Sequence, residues 1–217
     1  MKEGNLSHIR HFIWDFDGTL LDTYPTIIGF LRSALQEYGY DCDETEAMKL
    51  MLCTIATARD HYADLYGIDR KELLERYMHY HRERTPLLPA KPFAGVQEVL
   101  RQICQSGGYH YIYTHRDDTE TVRYLEKYGL RQYFREIVGS TSPHFAPKPS
   151  PDSVSYLMEK YGMTAENAVL VGDRDCDLES ARNAGIGTVH LLCPVAPQQL
   201  ECTWQVSNFA EMLTLIG

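Results

Sequence analysis

The sequence predicts an α/β protein, a doubly wound, Rossmann-like parallel sheet with an α-helical cap domain inserted near its start. Three observations carry this. Short apolar, β-branched runs alternate with amphipathic helical runs through the second half of the chain, the pattern of repeated βαβ units. A first strand stands alone near residue 10, far from the others. Between them, residues 45–84 hold no strand pattern at all. The expected division is a core of residues 1–22 and 87–217 and a helical cap of residues 23–86.

Taken in order, residues 8–14 read as the first strand, an apolar run ending in Trp14. Pro25 suits the first turn of a helix over 26–38, and Gly39 closes it. In the cap, Met48, Leu52, Ile55 and Ala56 recur at helical spacing, then Tyr62, Leu65 and Tyr66, then Leu73, Leu74, Tyr77 and Met78. Gly67 and Asp69 punctuate that run. Pro86, Pro89 and Pro92 mark a stiff connector back to the core. There follow a helix over 96–104, a strand over 109–114, a helix over 119–128 and a brief strand over 136–139. Ser150 as N-cap and Pro151 at the first position open a helix over 151–161. Residues 168–171 read as a buried strand, 177–183 as a helix, 188–192 as a strand and 208–215 as a closing helix.

The formal net charge of −9 argues against nucleic acid or an anionic membrane as partner. An anionic small molecule stays possible, because a local site can be cationic. The six cysteines show no Cys-x-x-Cys pair, and no apolar run approaches a membrane span. The N-terminus lacks an apolar signal core. A reduced cytoplasmic protein is expected.

Polar residues at the C-terminal strand ends are the candidates for chemistry, since open α/β sheets place their ligands there. Asp15 and Asp17 follow the first strand; if it extends that far, alternation puts both on one face. Gly18 lets the backbone turn after them. Thr114 and His115 end the second strand, with a hydroxyl and an N–H able to donate to a phosphoryl oxygen. Lys148 is held between Pro147 and Pro149. Asp173, Asp175 and Asp177 follow Gly172. If Asp15, Asp17, Asp173 and Asp177 converge, each close pair of like charges costs ~4 kcal/mol at 4 Å under an effective dielectric near 20. One lysine does not cancel that. A divalent cation does, and an all-oxygen site suits magnesium. A metal beside a nucleophilic carboxylate fits phosphoryl transfer.

The string Asp15-Phe16-Asp17-Gly18-Thr19-Leu20, with Thr114, Lys148 and Asp173/Asp177 in order, resembles the four motifs of the haloacid dehalogenase (HAD) superfamily. The likeness spans the chain and includes a helical cap between the first two motifs, as in the subclass of phosphoglycolate phosphatase and β-phosphoglucomutase. It implies a phosphatase in which Asp15 is the nucleophile, Asp17 the general acid and base, and Thr114 and Lys148 hold the phosphoryl oxygens. It implies Mg2+ on Asp15, the Asp17 backbone oxygen and Asp173, with Asp177 outside the direct ligands. The partner implied is a small phosphorylated metabolite, contacted by Gly18, His115 and the cap's Arg59. Asp17 argues against a dehalogenase, and the absence of a histidine shortly after Pro25 disfavours a mutase. A phosphonatase would need a cap lysine, Lys49 or Lys71. A phospho-accepting signalling module is the remote alternative. His115 and Arg116 depart from the family, which more often has an amide or small residue and then lysine. His61 is a second cap candidate for an anion; His79, His81 and the cap tyrosines are expected at the surface or in packing.

Overall fold

The computed structural model describes residues 5–84 and 90–217, with the side chain of Arg84 left aside. The connector expected at Pro86 and Pro89 lies outside the described residues. Those described divide into two compact units, Met1–Leu21 with Pro92–Gly217, and Asp22–Lys91.

In the first unit, strand β1 spans His11–Trp14. The two-residue strands β2, Leu21–Asp22, and β3, Lys91–Pro92, lie where the chain passes from one unit to the other. Helix α5 is Val96–Gln105, β4 is Tyr109–Tyr113, α6 is Asp118–Lys127 and β5 is Phe134–Val138. Helix α7 is Asp152–Tyr161, β6 is Ala168–Gly172, α8 is Asp175–Asn183 and β7 is Gly187–Leu191. Strand β8, Trp204–Val206, and helix α9, Phe209–Ile216, end the chain. The strand order is β5-β4-β1-β6-β7-β8, and each adjacent pair is parallel.

The first strand is therefore central, flanked by β4 and β6, with Trp14 level with Ile112 and Val171. All four of its residues are buried, as expected when helices cover both faces of a parallel sheet. On one face Ile13, Tyr111, Tyr113 and Leu170 pack with Val154 and Leu157 of α7 and Ala181 of α8. On the other, Trp14 stacks on Phe209 of α9, and its Nε1–H donates to Nδ1 of His110 at 3.0 Å.

The second unit is helical: α1 (Tyr24–Gln36), α2 (Glu44–Cys53), α3 (Ile55–Tyr66) and α4 (Arg70–Arg84). Gly67, at φ 66°, caps α3, and Asp69 accepts from the N–H groups of Lys71 and Glu72 to start α4. Tyr62 and Tyr77 are buried in packing, and Tyr40 stacks on Tyr66.

Two local expectations need correction. Pro151 is itself the N-cap residue of α7, and Ser150 reaches only one N–H beyond it, accepting from Asp152 at 3.2 Å. Strand β8 was not anticipated: three residues, with a glutamine in the middle, are too short to show a period.

Candidate active site

Three adjacent strands each deliver a polar residue at their C-terminal end: β1 delivers Asp15, β4 Thr114 and β6 Asp173. The ladder runs one step past the strands, since the Asp15 N–H donates to the Val171 carbonyl and the Thr114 N–H to that of Val138. These backbones are therefore fixed by the sheet itself.

Asp15, Asp173 and Asp177 are buried, and one carboxylate oxygen of each lies within 4.8 Å of those of the others. Lys148 is buried too, contrary to the solvated habit of a lysine in a proline loop. Its Nζ is 2.5 Å from Asp15 Oδ1 and 2.6 Å from Asp177 Oδ1, above the ring of Tyr113. Arg174 is a second buried cation, its Nε 3.8 Å from Asp177 Oδ2. Thr19 donates to Asp173 Oδ1 at 3.0 Å and so orients that carboxylate.

Asp177 stands close to the other two carboxylates. It sits at the third position of α8, where its Oδ2 accepts from the Arg174 N–H at 3.0 Å. A β-carbon on Gly172 would stand 2.4 Å from Asp177 Cβ, so only glycine lets the strand pass that close. Asp175 differs: it is exposed and meets Arg182.

Burial, and then the charge of Asp177, push the Asp15 carboxyl up to about 6 despite Lys148. Burial works the same way on Asp177, but Lys148 and Arg174 outweigh it and hold that carboxyl below the usual range. For Lys148 burial opposes the charge, and Asp15 and Asp177 more than restore it. The other oxygen of Asp15, Oδ2, is buried with no hydrogen-bond partner among the described residues. Such an atom is costly in a dry site unless a cation meets it. Three carboxylates with one uncommitted oxygen fit a hard, oxygen-seeking divalent ion.

Asp17 goes elsewhere. The strand ends at Trp14, and Gly18 turns at φ 79°, so alternation does not carry Asp17 alongside Asp15. Its carboxylate is gripped by Arg116, with Nε 3.1 Å from both oxygens and Nη2 2.6 Å from Oδ1. Thr114 is buried, and its Oγ1 accepts from the Arg116 N–H at 3.1 Å, which leaves the hydroxyl hydrogen as a donor.

The His115 side chain turns toward the Lys148 loop. Its Nε2 accepts from the Lys148 N–H at 2.9 Å, with the ring edge-on to Phe145, and burial pushes its pKa down to about 4. Arg59 belongs to the other unit, where Asp60 holds its guanidinium at 2.6 and 2.9 Å. His61 lies 3.5 Å from Glu46 there, and Lys49 and Lys71 are exposed.

The profile of the haloacid dehalogenase-like hydrolase family matches residues 12–191. The chain belongs to this family. A phosphoglycolate phosphatase of Mesorhizobium japonicum is 26% identical over 185 residues, covering 82% of this chain and 80% of its own. The crystal structure of a hydrolase from Streptococcus pneumoniae TIGR4 shares 31% identity over 83% of this chain and 91% of its own, at a TM-score of 0.62. That of a predicted phosphoglycolate phosphatase from Haemophilus somnus has a TM-score of 0.82 over 97% of this chain and 99% of its own. At 21% identity it is a likeness of fold.

Among the HAD motifs of this chain, sequence reasoning gave no role to Thr19, Arg116 or Arg174. Arg174 could have been suspected, standing between two candidate aspartates. For Thr19 no local signal exists, because its partner lies 154 residues away.

Proposed function

We propose that this HAD hydrolase is a Mg2+-dependent phosphatase acting on a small phosphorylated metabolite, of the kind the names of its relatives indicate, through an aspartyl-phosphate. The observation that carries the reading is Asp15: a buried carboxylate with one oxygen on Lys148 and the other uncommitted, beside Asp173 and Asp177.

An Asp15 oxygen attacks phosphorus, and the bond to the leaving oxygen breaks with its electron pair. Asp17 gives that oxygen a proton, then takes one from the water that attacks the acyl phosphate, releasing phosphate and restoring the Asp15 carboxylate. Thr114 and Lys148 hold the phosphoryl oxygens, and His115 holds the Lys148 backbone. Asp15, Asp173 and Asp177, with the Asp17 backbone oxygen, would hold Mg2+, which supplies neutralisation of phosphoryl charge and in-line orientation. Gly18 keeps the loop after Asp17 open to the ligand. Arg59 is proposed only as a contact to the anionic remainder of the substrate. The six free thiols suit action in a reducing, cytoplasmic compartment. Among the described residues no helix is long and apolar enough to cross a membrane.

The test is turnover of p-nitrophenyl phosphate by the native chain and by Asp15→Asn. The native chain is expected to turn over many times and the variant to lose ~10⁴-fold or more, with both proteins folded by circular dichroism. An Asp15→Asn protein that keeps substantial activity removes Asp15 as nucleophile.

A further inference from the structure

Arg116 is held on every side. Its backbone N–H donates to Thr114 Oγ1 at 3.1 Å, and its carbonyl accepts from the Ser140 N–H at 2.9 Å. The guanidinium carbon lies 5.9 Å from the ring centre of Phe16 and 5.5 Å from that of Tyr124. Nη1 meets Glu120 Oε2 at 2.9 Å, in the first turn of α6, where Asp117 fixes the helix start by accepting from the Thr119 and Glu120 N–H groups. The side chain is 6% exposed. Arginine and its anchors thus form a seat built without Asp17.

What the seat holds is the Asp17 carboxylate, by two guanidinium nitrogens. The Asp17 side chain lies past the end of β1, is 18% exposed, and is not in the group formed by Asp15, Asp173 and Asp177. Strand β1 itself ends at Trp14, three residues before Asp17. A planar fork determines both the position and the plane of a carboxylate, whereas an ammonium fixes only a point. A group that must deliver a proton to a leaving oxygen loses ~10²-fold when displaced by about 1 Å.

We propose that Arg116 is a positioning residue for Asp17, fixing the orientation from which that carboxyl serves the leaving group. Because Arg116 also presents its N–H to Thr114, one residue ties the phosphoryl-holding hydroxyl to the proton-transferring carboxyl. The role rests on the reading of Asp17 as general acid, and it separates into a test of its own.

The experiment measures kcat/KM for phenyl phosphate and p-nitrophenyl phosphate with the native chain, Asp17→Asn, Arg116→Gln, Arg116→Lys and the Asp17→Asn/Arg116→Gln double variant, each checked by melting. Phenyl phosphate has the poorer leaving group and depends more on a proton donor, and kcat/KM reports phosphoryl transfer alone. Asp17→Asn is expected to lose ~10²-fold or more on phenyl phosphate and distinctly less on the nitrophenyl ester. Arg116→Gln should show the same selective loss, at about tenfold or more, Arg116→Lys a smaller one, and the double variant no selective loss beyond that of Asp17→Asn. Equal losses on both esters in the Arg116 variants, or none, beside a selective loss in Asp17→Asn, overturn the positioning role. Equal losses in Asp17→Asn itself overturn the general-acid reading, and with it the proposal's premise.

Discussion

Lys148 in the sheet unit and Arg70 in the helical unit make the same contact to opposite effect. Each places nitrogen 2.5–2.9 Å from carboxylate oxygens. Around Lys148 both partners are buried, water cannot screen them, and each charge depends on the other being present. Arg70 and Asp64 are solvated on the surface, where an ion pair gains little over hydrated charges. The helical unit repeats that pattern with Arg32 on Asp41 and Arg76 on Glu37. The sheet unit has solvated pairs of its own, Arg101 on Glu98 and Arg182 on Asp175, but it also holds the buried cluster around Lys148.

The comparison sharpens under mutation. Lys148→Met should be the most damaging change, leaving Asp15 and Asp177 facing each other without their shared cation. Loss of turnover is expected together with ~3–5 kcal/mol of stability, read from urea midpoints. A variant as stable as the native chain would mean the buried pair is no more coupled than a surface one.

His110 gives the next effect, and a pH dependence. It is buried, accepting from Trp14 at Nδ1, with Nε2 3.0 Å from the Leu100 carbonyl, so the neutral ring satisfies both neighbours. Burial pushes its pKa down from 6.5 to about 4. Below 6.5 the unfolded chain takes up a proton that the folded chain refuses, so this contribution falls as pH drops from 6.5 towards 4, by up to ~3 kcal/mol. In His110→Gln the acid limb of the stability profile should be shallower. An unchanged limb would assign the acid sensitivity to other groups. The smallest effect belongs to Arg70→Gln, which should leave the melting temperature where it was; a resolvable drop would contradict the contrast between the two regions.

Much of this was legible in the sequence because regular structure has a period. The alternating βα pattern, the helical insertion and the residues at the ends of β1, β4 and β6 follow from local spacing alone. What escaped depends on closure of the chain. Alternation would have put Asp17 on the face of Asp15 only if the strand ran that far; it stops at Trp14, and the partner of Asp17 is Arg116, 99 residues away. The His115 ring has a partner that no local spacing reveals, the Lys148 N–H 33 residues on. Lys148 was placed in the site by the family resemblance, but nothing nearby in sequence reveals its two buried carboxylate partners. The close approach of Asp177 to the strand, which needs the bare Gly172, has no signature in local spacing either.

The most direct test of the central claim, that Asp15, Asp173 and Asp177 together hold one divalent cation, is calorimetric titration of the chelator-treated chain with Mg2+, set beside the same titration of Asp173→Asn. The account predicts saturable binding of one ion per native chain and its loss in the variant, with the fold of both intact. Equal binding by both proteins, or none by the native chain, would contradict it.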